Sequence, residues 1–371
     1  MTRCKTSGWR CHGGSGVWTV VGLLLLGIVA AVIAVTWWSQ MARPAAPGGG
    51  ASGAGTPGAF DEAAAKAAVA ELSEPVNTAI GDGRAMSMLA DVKALAAQYP
   101  QYGPARRMLG LVYLGAGHYE VAYPELIAAL GLLPADERSQ LEPIAGTVAM
   151  KLGKLDDAER HYQNTIAVNA YDLQTRLLLA QLYTHKAQYD LARDTLLAAL
   201  RVDATSHRAY AQLADVYARQ GKLNLAMDEI LKALERTTMS QRPDRVKYTR
   251  TKATLLRRLN KPDESLQVLA TSLRPHEQME PAVMAEMADA LAMQGKFDEA
   301  ARLYQRKIEL DPTDADAAAQ AAHWSIKAAQ NSADAAGKAQ FQDDARRMIS
   351  LIRSVDPGSA KIAELEAALG K

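Results

Sequence analysis

The sequence of 371 residues is poor in cysteine and carries almost no net charge. Its two cysteines, Cys4 and Cys11, stand near the N-terminus, so the rest of the chain has no thiol. A body without thiols needs no oxidising compartment and is compatible with one. Lysine and arginine number 42 against 41 acidic residues, which gives a formal net charge of +1. This balance excludes an overall electrostatic attraction to nucleic acid.

Aromatic residues are also scarce, at 6% of the chain with only three phenylalanines. No stretch stands out for the alternation of apolar and polar residues that a half-buried strand shows. A chain rich in alanine and leucine and without such alternation is predicted to be all-α.

The motifs of common enzymes are missing as well. None of the seven histidines stands in an HExxH motif or beside a cysteine pair. Cys11-His12 lacks the companion cysteine of a haem-attachment motif. The chain has neither a nucleophile elbow nor a phosphate-binding Gly-rich loop. We therefore predict that the protein is not an enzyme and has no catalytic, cofactor-binding or metal-binding residues.

What the sequence does have is an internal repeat of about 34 residues. Three segments begin at Gly153, Ala187 and Gly221 and end in Ala158, Ala192 and Ala226, which lie 34 residues apart. The segments 117–122 and 295–300 repeat the same pattern on either side. A fixed period in this range predicts a solenoid of stacked units.

Three columns of the repeat predict how each unit packs, when Gly103 is counted as position 1. Position 8 is small in seven copies: Gly110, Gly146, Ala180, Ala214, Ala253, Ala288 and Ala322. Position 20 is also small: Ala122, Ala158, Ala192, Ala226, Ser265, Ala300 and Ala345. Position 24 is large: Leu126, Tyr162, Leu196, Ile230, Leu269, Tyr304 and Ile349. We expect two antiparallel helices to cross at the small residues, with the large side chain filling the space between them.

These residues resemble the tetratricopeptide repeat. The copy that starts at Gly103 follows that family's pattern most fully, with Leu109-Gly110, Tyr113, Ala122, Leu126, Ala129 and Pro134. The resemblance implies an all-α, right-handed superhelical solenoid of about seven helical hairpins plus caps. The copies are expected at residues 103–138, 139–172, 173–206, 207–245, 246–280, 281–314 and 315–358.

One transmembrane helix is predicted to precede the repeats. Residues 17–38 carry no charge, and their 22 helical residues would span about 33 Å, close to the hydrocarbon core of a bilayer. A cleaved signal peptide is the alternative, but its apolar region would be shorter and end in small residues rather than Trp37-Trp38. Arg3, Lys5 and Arg10 precede the span, which places residues 1–16 in the cytoplasm and the repeats in the periplasm or another extracytoplasmic space. The Gly-, Pro- and Ala-rich residues 39–59 are predicted to be a flexible linker.

The two ends of the repeat region are predicted to be caps. Residues 60–102 are expected to form a helical cap or a degenerate repeat, with Ser73-Glu74-Pro75 starting a helix. Gly83 and Pro100 fall at the turn and closing positions of a further copy. Residues 359–371 are expected to form a C-terminal capping helix, with Ile362, Leu365 and Leu369 on one stripe.

The fifth copy stands out for positive charge. Residues 239–261 contain eight basic residues and one acid, Asp244, and residues 241–245 are an insertion relative to the other copies. In the family that the chain resembles, the first helix of each hairpin lines a concave groove. Carried over by position, the candidate partner-binding residues are Arg208, Arg219, Lys247, Arg250, Arg257 and Arg258.

Two interpretations of this charge remain open at the level of sequence. Such cations could bind an acidic segment or a C-terminal carboxylate through charge-assisted hydrogen bonds. Alternatively, they form a solvated surface or are neutralised by acids of a neighbouring copy. The family's chaperone-binding carboxylate clamp is not expected, because Asp215 and Thr254 stand where it needs asparagines.

Together these features predict a membrane-anchored scaffold of the cell envelope that binds peptide segments or client proteins in its groove. Similar arrangements serve as chaperone-like factors of c-type cytochrome maturation or as constitutive subunits of membrane assembly and secretion complexes, and both stay as alternatives. The expected partners are other proteins, including acidic segments, and the membrane through Val17–Trp38. No nucleic acid and no cofactor is expected, and the oligomeric state is left open.

Overall fold

The computed structural model describes residues 61–370. The predicted cytoplasmic N-terminus, transmembrane helix and linker all lie outside the described residues. No helix between residues 61 and 370 combines the length and the apolar character that a bilayer span requires.

The described residues are helical throughout, with no strand between residues 61 and 370. The described residues divide into two compact units, 61–182 and 183–370. In the first unit the helices are α1 (Glu62–Gly81), α2 (Leu89–Gln98), α3 (Gly103–Gly115), α4 (Tyr119–Leu132), α5 (Ala135–Lys151) and α6 (Leu155–Val168). A 3₁₀ turn, Ala85–Met88, lies between α1 and α2. Helix α7 (Leu173–His185) contains the boundary between the units.

The second unit continues the same order of helices. They are α8 (Tyr189–Val202), α9 (His207–Arg219), α10 (Leu223–Arg236), α11 (Arg242–Arg258), α12 (Pro262–Ser272), α13 (Pro275–Gln278), α14 (Pro281–Met293), α15 (Phe297–Leu310), α16 (Ala315–Asn331), α17 (Ala335–Val355) and α18 (Ala360–Leu369). A 3₁₀ turn, Met239–Gln241, precedes α11. The helices pair as hairpins, for example α9 with α10 and α14 with α15.

The predicted helix crossings are confirmed. A methyl group on Gly110 would lie 2.6 Å from Cδ2 of Leu126, and one on Gly146 would lie 2.7 Å from Cε1 of Tyr162. Positions 8 and 24 of these hairpins therefore meet, and only a residue without a side chain fits. In the other five copies the alanine at position 8 has no exposed surface. The seven residues at position 20 are likewise fully buried, and those at position 24 are at most 6% exposed.

Seven of the turns between helices contain one residue with positive φ, whereas the turn between α16 and α17 contains none. That residue is glycine in most turns, with φ between 71° and 79° at Gly83, Gly117, Gly153, Gly221 and Gly295. Gly83 thus has the turn geometry of the repeats, although it lies in the region expected to be a cap or a degenerate copy.

Two hairpins place a residue with a side chain in this conformation. Ala187 has φ 57° and Asn260 has φ 58°. The left-handed region costs an alanine roughly 1–2 kcal/mol, whereas asparagine tolerates it better. Ala187 is therefore the strained member of this set of turns.

Two helices begin one turn earlier than the predicted copies. Helices α5 and α11 have 17 residues each, whereas α9 and α14 have 13. These two helices therefore cross the approximate copy boundaries expected at residues 139 and 246, and four of the five inserted residues, 242–245, form an added first turn of α11. Pro243 is compatible with that turn because the first residues of a helix have no intrahelical N–H bond to lose.

The predicted helix start at Ser73 is also wrong. Helix α1 runs through Ser73 and Pro75 without a break. The Ser73 hydroxyl donates to the Val69 carbonyl 2.6 Å away, within the same helix, instead of accepting from a following N–H group. At the other end of the chain, α18 packs on both α16 and α17, with Ile362 and Leu365 buried.

The turn geometry gives a direct test of the strain at Ala187. We expect Ala187→Gly to stabilise the full-length protein by about 0.5–1 kcal/mol, because relief of the left-handed penalty exceeds the entropic cost of glycine. The midpoint of urea unfolding measures this. Ala198→Gly, in the middle of α8, is the matched control and should destabilise by about 1 kcal/mol. A loss of stability in both variants would show that the Ala187 turn is unstrained.

Candidate protein-binding face

Five positions of each first helix lie on one side of it, beside position 8, which contacts the hairpin partner. At 100° per residue, positions 2, 5, 9, 12 and 13 of the repeat occupy an arc of about 100°. In α11 these positions are Lys247, Arg250, Thr254, Arg257 and Arg258. We call this side of α9, α11 and α14, all in the second unit, the first-helix face.

Side chains at the start of this face are exposed, as Lys247 is, or partly buried. At positions 2 and 5, none of the six residues of α9, α11 and α14 is buried: Arg208, Ala211, Lys247, Arg250, Ala282 and Ala285. In α16, by contrast, position 5 is Ala319 and is buried. Within the second unit, positions 2 and 5 are thus both accessible on α9, α11 and α14 but not on α16.

Arg257 is held by acids of the next hairpin. Its Nη1 donates to Oδ2 of Asp289 at 2.6 Å, and its Nη2 donates to Glu286. Thr254 Oγ1 donates to the same Glu286 carboxylate at 3.0 Å, and Tyr304 Oη donates to Asp289 at 2.9 Å. The network joins α11 to α14 and α15, so Arg257 contributes to the packing of these helices.

Burial also acts on the tyrosine of this network. Loss of solvent raises the pKa of Tyr304, and the negative charge of Asp289 raises it further. The phenol therefore stays protonated and remains a donor to Asp289 at physiological pH.

Arg258 and Arg219 also have hydrogen-bond acceptors within the protein. Arg258 Nη2 donates to the Ala218 carbonyl at 2.8 Å, in the last turn of α9. A cation there adds a second hydrogen bond to this carbonyl, which also accepts from the Gly221 N–H, and complements the helix dipole. Arg219 Nε pairs with Oδ2 of Asp215 at 2.9 Å, one turn earlier in α9. Arg245 in α11 likewise donates to the Leu234 carbonyl in α10, at 3.2 Å.

Arg208 has partners too. It is partly buried and interacts with other groups of the protein. It lies near Tyr248, whose hydroxyl is 2.9 Å from Nδ1 of His207. Burial, and next Asp244, raise the pKa of Tyr248, while the positive charge of Arg208 opposes this shift.

Lys247 and Arg250 are the two candidates that remain. Among residues 61–370, neither side chain makes a hydrogen bond or an ion pair. Lys247 is exposed, and Arg250 is partly buried with its Nε atom enclosed and without an acceptor. The structure thus separates the six predicted residues into four with internal partners and two without.

An ion pair that was not predicted from the sequence links the start of α11 to α13. Arg242 Nε donates to Oε1 of Glu277 at 2.6 Å, and the Arg274 backbone N–H donates to the other oxygen at 2.7 Å. Glu277 is 4% exposed and lies on the one-turn helix α13. The hydrogen bond from Arg242 is the main cause that lowers the pKa of Glu277 to about 2.

The first unit contains a buried polar cluster of a different kind. His161 Nδ1 lies 2.5 Å from Oε2 of Glu142, and Nε2 lies 3.3 Å from the Tyr123 hydroxyl. Asn164 donates to the other Glu142 oxygen at 3.2 Å. His161 and Glu142 are 4% and 7% exposed, so these two side chains are closed to partners. Between residues 61 and 370, no three His, Cys, Asp or Glu side chains are grouped as a metal ion would need.

Comparison with known proteins agrees with this architecture. A tetratricopeptide repeat model matches residues 145–207 and 250–315, and a second one matches residues 207–237. The chain contains tetratricopeptide repeats. Proteins built from this repeat generally act as scaffolds for protein–protein interaction rather than as enzymes.

Two solved structures share the fold at low sequence identity. A tetratricopeptide repeat protein from Parabacteroides merdae superposes with a TM-score of 0.52 at 16% identity, over 66% of this chain and 94% of that chain. PilW, described as a widely conserved type IV pilus biogenesis factor, superposes with a TM-score of 0.51 at 15% identity, over 62% of this chain and 98% of that chain. No curated protein sequence is significantly similar to this chain. Identities this low support the repeat fold alone.

The division between engaged and free cations predicts two different mutational costs. We expect Arg257→Met to destabilise the protein by roughly 1–3 kcal/mol, because it leaves Glu286 and Asp289 partly buried without their cation. Arg219→Met is the matched control, since it removes an i,i+4 pair whose side chains are 53% and 51% exposed, and it should cost at most about 0.5 kcal/mol. Urea unfolding distinguishes the two. Equal costs would contradict a structural role for Arg257.

The Arg242–Glu277 pair predicts a dependence on pH. The folded protein lowers the pKa of Glu277 from 4.5 to about 2, so the pair stabilises the fold above pH 4.5 and loses this contribution as pH falls towards 2. Arg242→Gln should therefore be clearly less stable than the wild type at pH 7, and the difference should shrink steadily from pH 4.5 to pH 2. Thermal unfolding across that range measures it. A difference that stays constant with pH would show that the ionised pair does not stabilise the fold.

Proposed function

We propose that this protein is a membrane-anchored scaffold of the cell envelope, which binds segments of other proteins on its first-helix face. Repeat solenoids present extended surfaces to partners and bring no chemistry of their own. The observation that carries the proposal is the open face in the second unit, where positions 2 and 5 of three first helices remain accessible although position 8 of the same helices is fully buried.

The anchoring and the side of the membrane are part of this proposal. Support comes from the uncharged residues 17–38 and from Arg3, Lys5 and Arg10 before them. The N-terminus would lie in the cytoplasm and the repeats in the periplasm or its equivalent. The Gly- and Pro-rich residues 39–59 would then give the repeats freedom to reach a partner near the bilayer.

Crosslinking in intact cells tests both parts at once. A membrane-impermeant crosslinker is applied to cells that carry the full-length protein, and captured proteins are identified and quantified by mass spectrometry. We expect several different proteins, each captured at less than one copy per scaffold, from the extracytoplasmic side. A permeant crosslinker provides the control for cytoplasmic exposure.

Two results would overturn the proposal. Capture with the permeant reagent alone would place the repeats in the cytoplasm. One or two partners in constant ratio, retained at high salt, would instead identify a fixed subunit of a membrane complex.

A further inference from the structure

We propose that Lys247 and Arg250 form a two-cation site that binds an acidic segment of a partner protein. The inference rests on the proposed function, because it names the chemistry that the first-helix face would recognise.

The first step is that the fold leaves these cations free. Three other arginines of the first-helix face have acceptors within the protein: Arg219 pairs with Asp215, Arg257 with Glu286 and Asp289, and Arg258 with the Ala218 carbonyl. Arg208 also interacts with other groups of the protein. The two acids of the face, Asp215 and Asp289, are both engaged in these pairs. No internal carboxylate therefore neutralises Lys247 or Arg250 among the described residues.

The second step concerns their placement on α11. Lys247 and Arg250 are three residues apart, so their Cβ atoms lie about 5–6 Å from each other on one side of the helix. Arg250 occupies position 5, and the same position is alanine in both neighbouring first helices, Ala211 in α9 and Ala285 in α14. Small side chains on both sides leave room for a bound segment to approach the guanidinium.

The third step is the state of Arg250 without a partner. Its Nε–H is enclosed by protein atoms and has no acceptor. A buried donor without an acceptor costs free energy, so the fold does not satisfy the hydrogen-bonding capacity of this side chain among the described residues. Arginine also binds carboxylates through two parallel hydrogen bonds, which favours an acidic side chain over a neutral amide.

The number of cations argues for a peptide rather than a nucleic acid. Binding to a polyanionic backbone needs many phosphate contacts along a basic surface. Here two free cations stand among alanines in a chain whose formal net charge is +1. Two carboxylates of an acidic protein segment match that site.

The test measures peptide binding to the full-length protein by fluorescence anisotropy. The probe is a labelled twelve-residue peptide of alternating Glu and Ala, and its counterpart has Gln in place of every Glu. We expect the acidic peptide to bind and the Gln peptide to bind at least tenfold more weakly. In Lys247→Glu/Arg250→Glu the Kd for the acidic peptide should rise at least tenfold.

The matched control makes the same change of charge elsewhere in the second unit. Lys296→Glu/Lys338→Glu alters two exposed lysines without ion pairs among the described residues, and its Kd should stay within twofold of the wild type. Lys247→Gln/Arg250→Gln should also weaken binding, which shows that loss of the cations suffices. Circular dichroism checks that all variants keep the helical fold.

The outcomes separate this inference from the proposed function. Equal binding of the two peptides, or unchanged affinity in Lys247→Glu/Arg250→Glu, overturns the acidic-segment site. If crosslinking still captures several proteins in that case, the scaffold function stands and the partners bind elsewhere. Capture that disappears in Lys247→Glu/Arg250→Glu but persists in the control supports both.

Discussion

The two helices of a hairpin in this chain approach each other at positions where the backbone carries almost no side chain. At Gly110 and Gly146 even one methyl group would collide with the large residue of the second helix. This contact fixes the rotation of the first helix, since the small residue must point at its partner. The arc that includes positions 2 and 5 then points elsewhere. The same packing that holds a hairpin together therefore decides which side chains a partner can reach.

Charge is distributed in accordance with this geometry. Arg257 reaches the next hairpin and is paired there with Glu286 and Asp289, and Arg242 at the start of α11 is paired with Glu277 on α13. Such pairs join separate helices and are largely shielded from water, so they affect stability more than exposed pairs do. Lys247 and Arg250 face a side of α11 where the neighbouring helices offer alanines. The basic residues of the fifth copy thus include some that stabilise the fold and some that a partner can reach.

Much of the fold was predictable from sequence because the repeat supplies several copies of each constraint. The small and large columns at positions 8, 20 and 24 predicted the helix crossings that the structure shows. Single features were less reliable. Ser73-Glu74-Pro75 looked like a helix start, yet the long helix α1 runs through it. Residues 241–245 were recognised as an insertion, but not that residues 242–245 lengthen α11 by one turn.

The candidate site was predictable only as a set of positions. Helical periodicity and the family resemblance placed six cations near one face, but they could not say which of them would be neutralised. That depends on how far each side chain reaches towards residues about 30 positions away, as from Arg257 to Glu286 and Asp289. The acids of the next copy were visible in the sequence, and the register between two copies is what assigns them to Arg257. No pattern in the sequence predicted the one-turn helix α13, on which Glu277 lies.

Hydrogen–deuterium exchange on the full-length protein, with and without the acidic Glu-Ala peptide, tests the central claim most directly. The claim is that partners bind the accessible side of the first helices while the crossings stay unchanged. The account predicts slower exchange in α9, α11 and α14 on binding, with no change in α10, α12 and α15. Protection confined to the second helices, or spread evenly over both helices of each hairpin, would contradict it.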